Sequence, residues 1–316
     1  MKKIFIAGHN GLVGKAFSRL LKKKKNYKLF FKDKKKLDLT NQKSVLSYFK
    51  KHKFNQVYLA AAKVGGIKAN SNYPADFIYQ NLMINCNVIN SAYITGVKKV
   101  LYLGSNCSYP KFTIQPMKEN QLLSGKIEPT NEAFAIAKIA GLKLCESYNR
   151  QYKNKKIDFR TVMPTNLYGV GDNFHPKNSH VIPSLIKKFH LAKKRKLKTV
   201  KIWGSGNAVR EFLFVDDLAK YCLKIMNISK KKYNQYTEDR CSHINIGTGK
   251  GCTISQLAIK ICKIVGYEGN IIFDKSQPDG HPKKLLNISK LKKITKTKFV
   301  NLDEGLKITY QDFLNK

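Results

Sequence analysis

The sequence has 316 residues, 42% of them hydrophobic, which is enough for one large α/β domain or for a domain with a smaller appendage. Sixty basic residues against twenty acidic ones leave a formal net charge of +40, yet the basic residues are spread along the chain and no nucleic-acid-binding motif accompanies them. The apolar stretches are short and interrupted by lysine, which excludes a membrane-spanning helix.

These features favour a cytoplasmic protein with a solvated, lysine-rich surface and with neither nucleic acid nor a membrane as a partner. Nucleic-acid binding stays open as the alternative that the charge motivates. Seven cysteines are scattered without a C-x-x-C pair, so we expect neither a disulfide framework nor a metal site. We expect most of these cysteines to be small core residues.

Short apolar strands alternate with helical patterns through the first half of the chain. The predicted strands are 3–7, 27–31, 56–60, 99–104 and 158–163, and the predicted helices are 12–24, 42–51, 78–95 and 133–151. This alternation predicts an α/β fold, with a doubly wound parallel sheet of the Rossmann type that helices cover on both faces. From about residue 168 the pattern mixes short strands, helices and loops.

The first predicted strand runs directly into a glycine-rich loop with the spacing G-x-x-G-x-x-G, which opens the first helix. Glycines there permit a tight turn and a close backbone approach, and the helix N-terminus then faces a pyrophosphate. The position between strand and helix indicates a dinucleotide-binding loop rather than an ordinary turn. The candidate cofactor contacts in this loop are Gly8, Asn10, Gly11, Leu12, Val13 and Gly14.

The end of the second strand distinguishes NAD from NADP, because an acid there binds the ribose hydroxyls and a base pairs with a 2′-phosphate. Residues 32–36 read Lys-Asp-Lys-Lys-Lys, so the bases outnumber the acid. This pattern favours NADP(H), with Lys34 as a candidate partner of the phosphate. The alternative interpretation is one more exposed lysine run.

Three segments carry a specific resemblance: 59–66 (LAAAKVGG), 103–110 (LGSNCSYP) and 128–138 (EPTNEAFAIAK). Shorter matching motifs follow at 163–169, 178–183, 203–206, 210–212 and 278–280. Together they resemble the extended short-chain dehydrogenase/reductases, and specifically the GDP-L-fucose synthase family, over nearly the whole chain. The resemblance implies NADP(H) as cofactor, a GDP-4-keto-6-deoxy sugar as substrate, and a homodimer formed through helices 78–95 and 133–151.

The resemblance also implies two successive reactions. In the first, a base and an acid invert C3 and C5 of the sugar, and the matching residues are Cys107 and His180. A thiol and an imidazole suit this work because both exchange protons near neutral pH. In the second, NADPH reduces the C4 ketone with the help of a serine, a tyrosine and a lysine, of which Ser105 and Lys138 match the first and the last.

The tyrosine of this set is missing, because Phe134 stands four residues before Lys138, where the family pattern Y-x-x-x-K has tyrosine. Phenylalanine has no proton to donate, and general acid catalysis is typically worth ~10²–10⁴-fold, so we expect impaired reduction. Two explanations stay open. The change is natural and leaves an epimerase-only or binding-only protein, or a natural tyrosine was replaced by engineering; the otherwise complete site favours the second.

Further contacts follow from the resemblance alone. The implied cofactor contacts are Asp38, Leu39, Ala61, Lys138, Pro164, Asn166 and His180. The implied substrate contacts are Val64, Gly65, Ser105, Asn106, Asn166, Lys188, Trp203, Arg210 and Lys284. The guanidinium of Arg210 offers a bidentate fork for the diphosphate of GDP.

The expected domains are an NADP-binding domain at residues 1–167, to which residues of about 210–250 return, and a smaller C-terminal α/β domain, mainly 168–316, for the GDP-sugar. Two alternative functions remain. One is a C4-reductase of a GDP-4-keto-heptose without epimerase activity, since one extra carbon contributes only ~1–3 kcal/mol of discrimination. The other is a non-catalytic NADP-binding sensor, which Phe134 motivates.

Overall fold

The computed structural model describes residues 1–175, 179–276 and 281–316, so the predicted motif at 278–280 and Asn178 lie outside the described residues. The strands are β1 (Lys2–Ala7), β2 (Tyr27–Phe30), β3 (Gln56–Leu59), β4 (Lys99–Leu103), β5 (Asp158–Pro164), β6 (Asn166–Tyr168), β7 (Thr199–Trp203), β8 (Val209–Phe214), β9 (His243–Ile246), β10 (Gly251–Thr253), β11 (Asn270–Asp274) and β12 (Lys283–Lys284). The helices are α1 (Leu12–Lys22), α2 (Gln42–His52), α3 (Ile67–Asn72), α4 (Pro74–Ile94), α5 (Glu132–Gln151), α6 (Val181–Lys194), α7 (Val215–Asn227), α8 (Lys230–Asn234), α9 (Ile254–Val265), α10 (Ser289–Ile294) and α11 (Leu302–Leu314).

The central sheet is parallel throughout, in the order β2-β1-β3-β4-β5-β9. Strands β3 and β5 are buried along their whole length, because helices cover both faces of the sheet. Helix α1 packs against α7, and α4 packs against α2 and α5. The predicted α/β fold with a doubly wound parallel sheet is confirmed.

The strand order reverses between β1 and β3, and this position matters for ligand binding. In open α/β sheets, ligands bind beyond the carboxyl ends of the strands at such a switch point. The glycine-rich loop follows β1, and the segment 60–66 follows β3. The fold therefore brings two of the recognised sequence motifs to the same edge of the sheet.

In the first half of the chain, one predicted helix has a different start, and one helix was not predicted. The helix expected at 78–95 begins at Pro74, whose fixed φ suits the first helical position, and ends at Ile94. The short helix α3 precedes it, and its polar sequence IKANSN has no apolar periodicity that could announce a helix.

A second set of elements packs beside the central sheet. Strand β8 pairs with β10, β12 and β6, and β7 pairs with β11. Helices α6, α9 and α11 cover these strands around a second apolar cluster that includes Phe189, Ile202 and Leu257. Local sequence signals set both ends of helix α9. A Thr253–Gln256 capping box begins it, and Gly266 in the left-handed conformation ends it.

Two sequence expectations concern exposure. Cys145 and Cys222 are buried, whereas Cys86 is exposed and Cys107, Cys241, Cys252 and Cys262 are partly exposed, so the prediction that most cysteines are core residues is wrong. Cys252 and Cys262 are partly buried against the second apolar cluster. None of the helices in the described ranges is long and apolar enough to cross a membrane.

Candidate active site

The glycine-rich loop has the close packing that a dinucleotide site needs. Gly8 has a φ of +84°, and a Cβ added to it would lie 2.6 Å from the backbone of Ala61. A Cβ on Gly14 would collide with the carbonyl oxygen of Gly8. Helix α1 begins at Leu12, with Gly11 at its N-cap and Val13 in its first turn. The loop thus leaves backbone N–H groups at a helix N-terminus close to the sheet edge, which fits a pyrophosphate.

The acid at the end of the second strand is turned towards this loop. Asn10 donates from Nδ2 to the Asp33 carboxylate at 2.6 Å, and the His9 ring nitrogen Nε2 lies 3.3 Å from the same carboxylate. Asp33 is therefore engaged by the glycine-rich loop, while Lys34 is exposed beside it. This arrangement leaves a cation, rather than an acid, available at the ribose end of a dinucleotide.

Asp38 and Leu39 lie a little further along the chain. The Asp38 carboxylate accepts hydrogen bonds from Thr40, and these bonds lower the pKa of Asp38. The Leu39 carbonyl accepts a 2.9 Å bond from Asn87 of α4. Asp38 is thus held by a neighbour in its own loop, and Leu39 by helix α4.

Ser105, Asn106 and Cys107 form a tight turn where β4 ends. The Ser105 hydroxyl caps the turn by accepting from the Cys107 backbone N–H at 3.3 Å. Asn106 is buried and contacts the Thr165 hydroxyl at 3.5 Å, whereas Ser105 and Cys107 are partly exposed. The turn therefore presents a hydroxyl and a thiol at the sheet edge on a rigid backbone.

Lys138 reaches this turn from α5. Its buried ammonium donates a 2.9 Å hydrogen bond to the carbonyl of Leu103, two residues before Ser105. The same nitrogen lies 5.3 Å from the ring centre of Tyr102. Burial lowers the pKa of Lys138 from 10.5 to about 8, because the charged form is desolvated.

Phe134 lies one turn before Lys138 on α5 and is partly exposed. Its ring centre is 5.7 Å from the Lys138 ammonium and 6.5 Å from the ring of Phe77, which it meets edge-on. The Ser108 hydroxyl contacts the backbone carbonyl of Ala135 at 3.5 Å, which ties the segment after β4 to this part of α5. The aromatic side chain thus lies between Phe77 and the Lys138 ammonium and has no hydroxyl.

Tyr109 is not placed to supply the missing hydroxyl. It is buried, and its hydroxyl donates to the Asn245 side chain at 2.6 Å and lies 3.0 Å from Nε2 of His243. Because the hydroxyl proton goes to Asn245, the His243 nitrogen is the donor in the second contact. Tyr109 is therefore held within the protein interior by β9.

His180 lies at the N-cap of α6, opposite the segment 64–66. A Cβ added to Gly66 would lie 3.9 Å from the Ser179 carbonyl, so the two segments face each other closely. Val64 is 62% exposed, and Gly65 packs against Ala69 and Phe77. His180 is exposed to solvent. The protein around its ring nevertheless lowers its pKa through desolvation.

Arg210 and Lys284, two of the cations predicted at the nucleotide end, are direct neighbours. Their Cα atoms are register partners in the parallel pair β8–β12, and both side chains are partly exposed. Lys188 of α6 donates to the Lys201 carbonyl of β7 at 2.8 Å, which ties it two residues from Trp203. Trp203 is 66% exposed, which excludes core packing for this side chain.

Pro164 is the last residue of β5, and Asn166 is the first residue of β6. Pro164 pairs with Ile246 at the end of the central sheet, and Asn166 donates 2.9 Å to the backbone carbonyl of Glu211. Glu211 lies in the matching motif 210–212 but has no predicted role there, and Asn70 is not among the predicted residues. Asn70 donates to the carbonyls of Gly65 and Gly66, at 2.9 and 3.1 Å, and so holds the segment opposite His180. The motif 210–212 is the sequence signal for Glu211, whereas no motif marks Asn70.

Comparison with known proteins agrees with this geometry. The model of the NAD dependent epimerase/dehydratase family matches residues 4–247. A GDP-L-fucose synthase of Escherichia coli is 51% identical over 99% of this chain and 97% of its own length. GDP-L-fucose synthase 1 of Arabidopsis thaliana is 49% identical over 99% of this chain and 93% of its own length.

A solved structure of similar shape is the GDP-mannoheptose C4 reductase of Campylobacter jejuni with NADP bound, which is 37% identical and covers 99% of this chain and 98% of its own. Its TM-score against this chain is 0.89. From its full-length similarity to these relatives, the chain belongs to the NAD dependent epimerase/dehydratase family and, within it, to the GDP-L-fucose synthase family.

Proposed function

We propose that this chain is an NADP-dependent enzyme that epimerises C3 and C5 of a GDP-4-keto-6-deoxy sugar and whose C4 reduction is impaired by Phe134. The observation that supports the proposal is made at the end of β4, where polar candidate residues meet but a hydroxyl is missing. Ser105, Cys107 and Lys138 converge there, while the ring at position 134 has no hydroxyl. The 51% identity to a GDP-L-fucose synthase supports the same reaction class.

Epimerisation needs a base and an acid on opposite faces of the sugar. The C4 ketone acidifies the protons on C3 and C5, so the Cys107 thiolate removes one and the charge moves to the C4 oxygen as an enolate. The Ser105 hydroxyl donates a hydrogen bond to that oxygen and stabilises it. His180 in its protonated form returns a proton to the carbon from the other face.

Reduction places different demands on the same residues. NADPH, when bound, supplies the hydride that C4 accepts. The C4 oxygen then needs a proton, and a phenol at position 134 would donate it. The Lys138 ammonium donates one hydrogen bond to Leu103, and its remaining N–H groups would hold the nicotinamide ribose. With phenylalanine at 134 the hydride transfer has no positioned acid, and reduction is slow.

The two halves of the chain take different parts of this work. Residues 1–167 bind NADP, with a return of about 210–250 that includes β9, and residues 168–316 mainly bind the GDP-sugar. Arg210 and Lys284 neutralise the diphosphate, and the exposed ring of Trp203 with Lys188 contacts the nucleoside. The sugar lies between Val64, Gly65, Asn106 and Asn166.

A homodimer in the cytoplasm is the form that we expect. Support comes from the outer face of α4 and α5, which exposes Tyr79, Ile94 and Ile136. A groove of about 500 Å³ adjoins this face between α3 and the starts of α4 and α5. Exposed apolar side chains of this kind are typical of a subunit interface. Light scattering of the chain and of a Tyr79→Glu/Ile136→Glu variant tests this, since the variant should be monomeric.

A heptose is the alternative substrate, because the Campylobacter jejuni relative is a GDP-mannoheptose C4 reductase. The two substrates are separated by product analysis. With GDP-4-keto-6-deoxy-D-mannose and NADPH, we expect the Phe134→Tyr variant to form a reduced GDP-sugar that mass spectrometry detects. Absence of any reaction of this variant with the hexose, together with turnover of the heptose, would move the assignment to the alternative. Absence of both reactions would favour a non-catalytic NADP-binding protein.

A further inference from the structure

Glu211 is fully buried in β8, immediately after the arginine of the nucleotide end. Its carboxylate accepts hydrogen bonds from the backbone N–H groups of Gly249 at 2.6 Å and Leu286 at 2.9 Å. The Thr248 hydroxyl approaches it at 3.4 Å. A carboxylate is costly to bury, and these donors offset that cost.

The two main donors belong to different parts of the chain. Gly249 lies in the turn between β9 and β10, and Leu286 follows β12. The backbone carbonyl of Glu211 adds a third connection, because it accepts from the side chains of Asn166 at 2.9 Å and Thr165 at 3.2 Å. Glu211 therefore connects three parts of the chain: the candidate contact Asn166, the turn after β9 and the segment that follows β12.

Strand β12 is short, and the residues that follow it are held from two sides. It has two residues, Lys283 and Lys284, and its ladder with β8 has two register pairs. On the side of β8, Leu286 donates to the Glu211 carboxylate, and on the other side the backbone of Met117 bonds to the backbones of Leu285 and Asn287. A one-residue slip would turn the Lys284 side chain to the opposite face, away from the phosphates.

We propose that Glu211 is a positioning residue for nucleotide binding: its buried carboxylate sets β12 against β8 so that Arg210 and Lys284 converge on the diphosphate of a nucleoside-diphosphate ligand. The inference rests on the proposed function, since it assumes that these two cations bind the diphosphate. Glu211 does not touch the ligand itself.

The fold offers a second way to disturb the same carboxylate. Gly247 lies against Glu211, and a Cβ added to Gly247 would collide with the carboxylate oxygen Oε1. The Gly247→Ala variant therefore displaces the carboxylate while keeping its charge. Glu211→Gln keeps the shape and replaces one accepting oxygen by a donating amide. The two variants reach one structural effect through different chemistry.

Calorimetric titration of the full chain with GDP and, separately, with NADP tests the proposal. We expect Glu211→Gln and Gly247→Ala each to weaken GDP binding about tenfold, the loss expected for one hydrogen bond to a charged group, and to leave NADP binding unchanged. Glu146→Gln is the control, because Glu146 is also a buried carboxylate, which accepts from the Ser242 backbone N–H at 2.9 Å and from the Lys143 ammonium at 2.8 Å, away from β12. It should change neither affinity.

Equal GDP affinity in the folded variants and the unchanged chain would overturn the role of Glu211, and so would an equal loss of GDP and NADP affinity, which indicates general loosening. If one variant does not fold, the other carries the same comparison. Failure of the unchanged chain to bind GDP at all would instead contradict the proposed function. Tight GDP binding by the unchanged chain with no effect of either variant would leave that function standing.

Discussion

Lys138 lies one turn after Phe134 on α5, and its ammonium is 5.7 Å from the centre of the Phe134 ring. A phenol in place of that ring would lie near a buried cation, and a nearby positive charge lowers the pKa of a phenol. The cation is therefore present at this position, and the hydroxyl is missing.

The first prediction concerns this missing proton. Phe134→Tyr should speed NADPH-dependent reduction of the 4-keto sugar by ~10²-fold or more, which is the value of a positioned general acid. The loss of NADPH absorbance in single-turnover mixing measures it. Phe134→Leu is the control, since it changes the ring without adding a hydroxyl and should stay slow. An equally slow Phe134→Tyr variant would show that the proton comes from elsewhere.

The burial of Lys138 should be visible in the pH dependence of stability. Its pKa falls from 10.5 to about 8 on folding, so between these pH values the unfolded chain holds a proton there that the folded chain has lost. The free energy of unfolding therefore rises with pH across that window, by on the order of 3 kcal/mol. This contribution is lost again as the pH falls through 8. Lys138→Met should remove this rise.

Urea unfolding of both proteins from pH 7 to pH 10.5 measures the effect. The stability of Lys138→Met relative to the unchanged chain should be greatest at pH 7 and should decline towards pH 10.5. Lys50→Met, on the exposed surface of α2, serves as the control for the loss of one lysine. A difference between Lys138→Met and the unchanged chain that is constant with pH would contradict the buried, titrating lysine.

Cofactor selectivity should depend on the exposed base beside Asp33. Lys34→Ala should weaken NADPH binding and leave NADH binding unchanged, because the cation pairs with the 2′-phosphate that NADH lacks. The effect should shrink with added salt, as expected for an exposed charge pair. Fluorescence titration of both cofactors measures it, with Lys50→Ala as control. Equal losses for NADPH and NADH would place Lys34 away from the phosphate.

The nucleotide end should be sensitive to the loss of its arginine. Arg210→Ala should weaken GDP binding by ~1.5–3 kcal/mol, the range for hydrogen bonds to charged groups. Calorimetric titration with GDP gives the value, and Arg195→Ala, at the exposed end of α6, is the control for a lost positive charge. An unchanged dissociation constant would show that Arg210 does not contact the nucleotide.

The fold could be predicted from the sequence because its elements are locally encoded. Apolar runs of strand length alternate with helical periodicity, and the glycine-rich loop marks the first crossover. Helix α3 could not be predicted, because its polar residues fold through contacts such as those of Asn70 with the segment 64–66. Propensity carries no information about such tertiary contacts.

The residues of the candidate site could be named from motifs, but their mutual support could not. The pairing of Asn10 with Asp33 spans 23 positions of the chain. The contact between Glu211 and Leu286 joins a strand to a segment 75 residues later. Spacing in sequence does not encode such side-chain partners, so they required the structure.

Deuterium uptake by the substrate tests most directly whether Phe134 removes only the acid of reduction. The unchanged chain, given GDP-4-keto-6-deoxy-D-mannose in heavy water with oxidised NADP, should introduce deuterium at C3, C5 or both, and Cys107→Ser should suppress this uptake. Mass spectrometry and NMR of the recovered sugar measure the amount and the position. No exchange by the unchanged chain, together with efficient reduction by Phe134→Tyr without exchange, would contradict the epimerase function and indicate a pure C4-reductase.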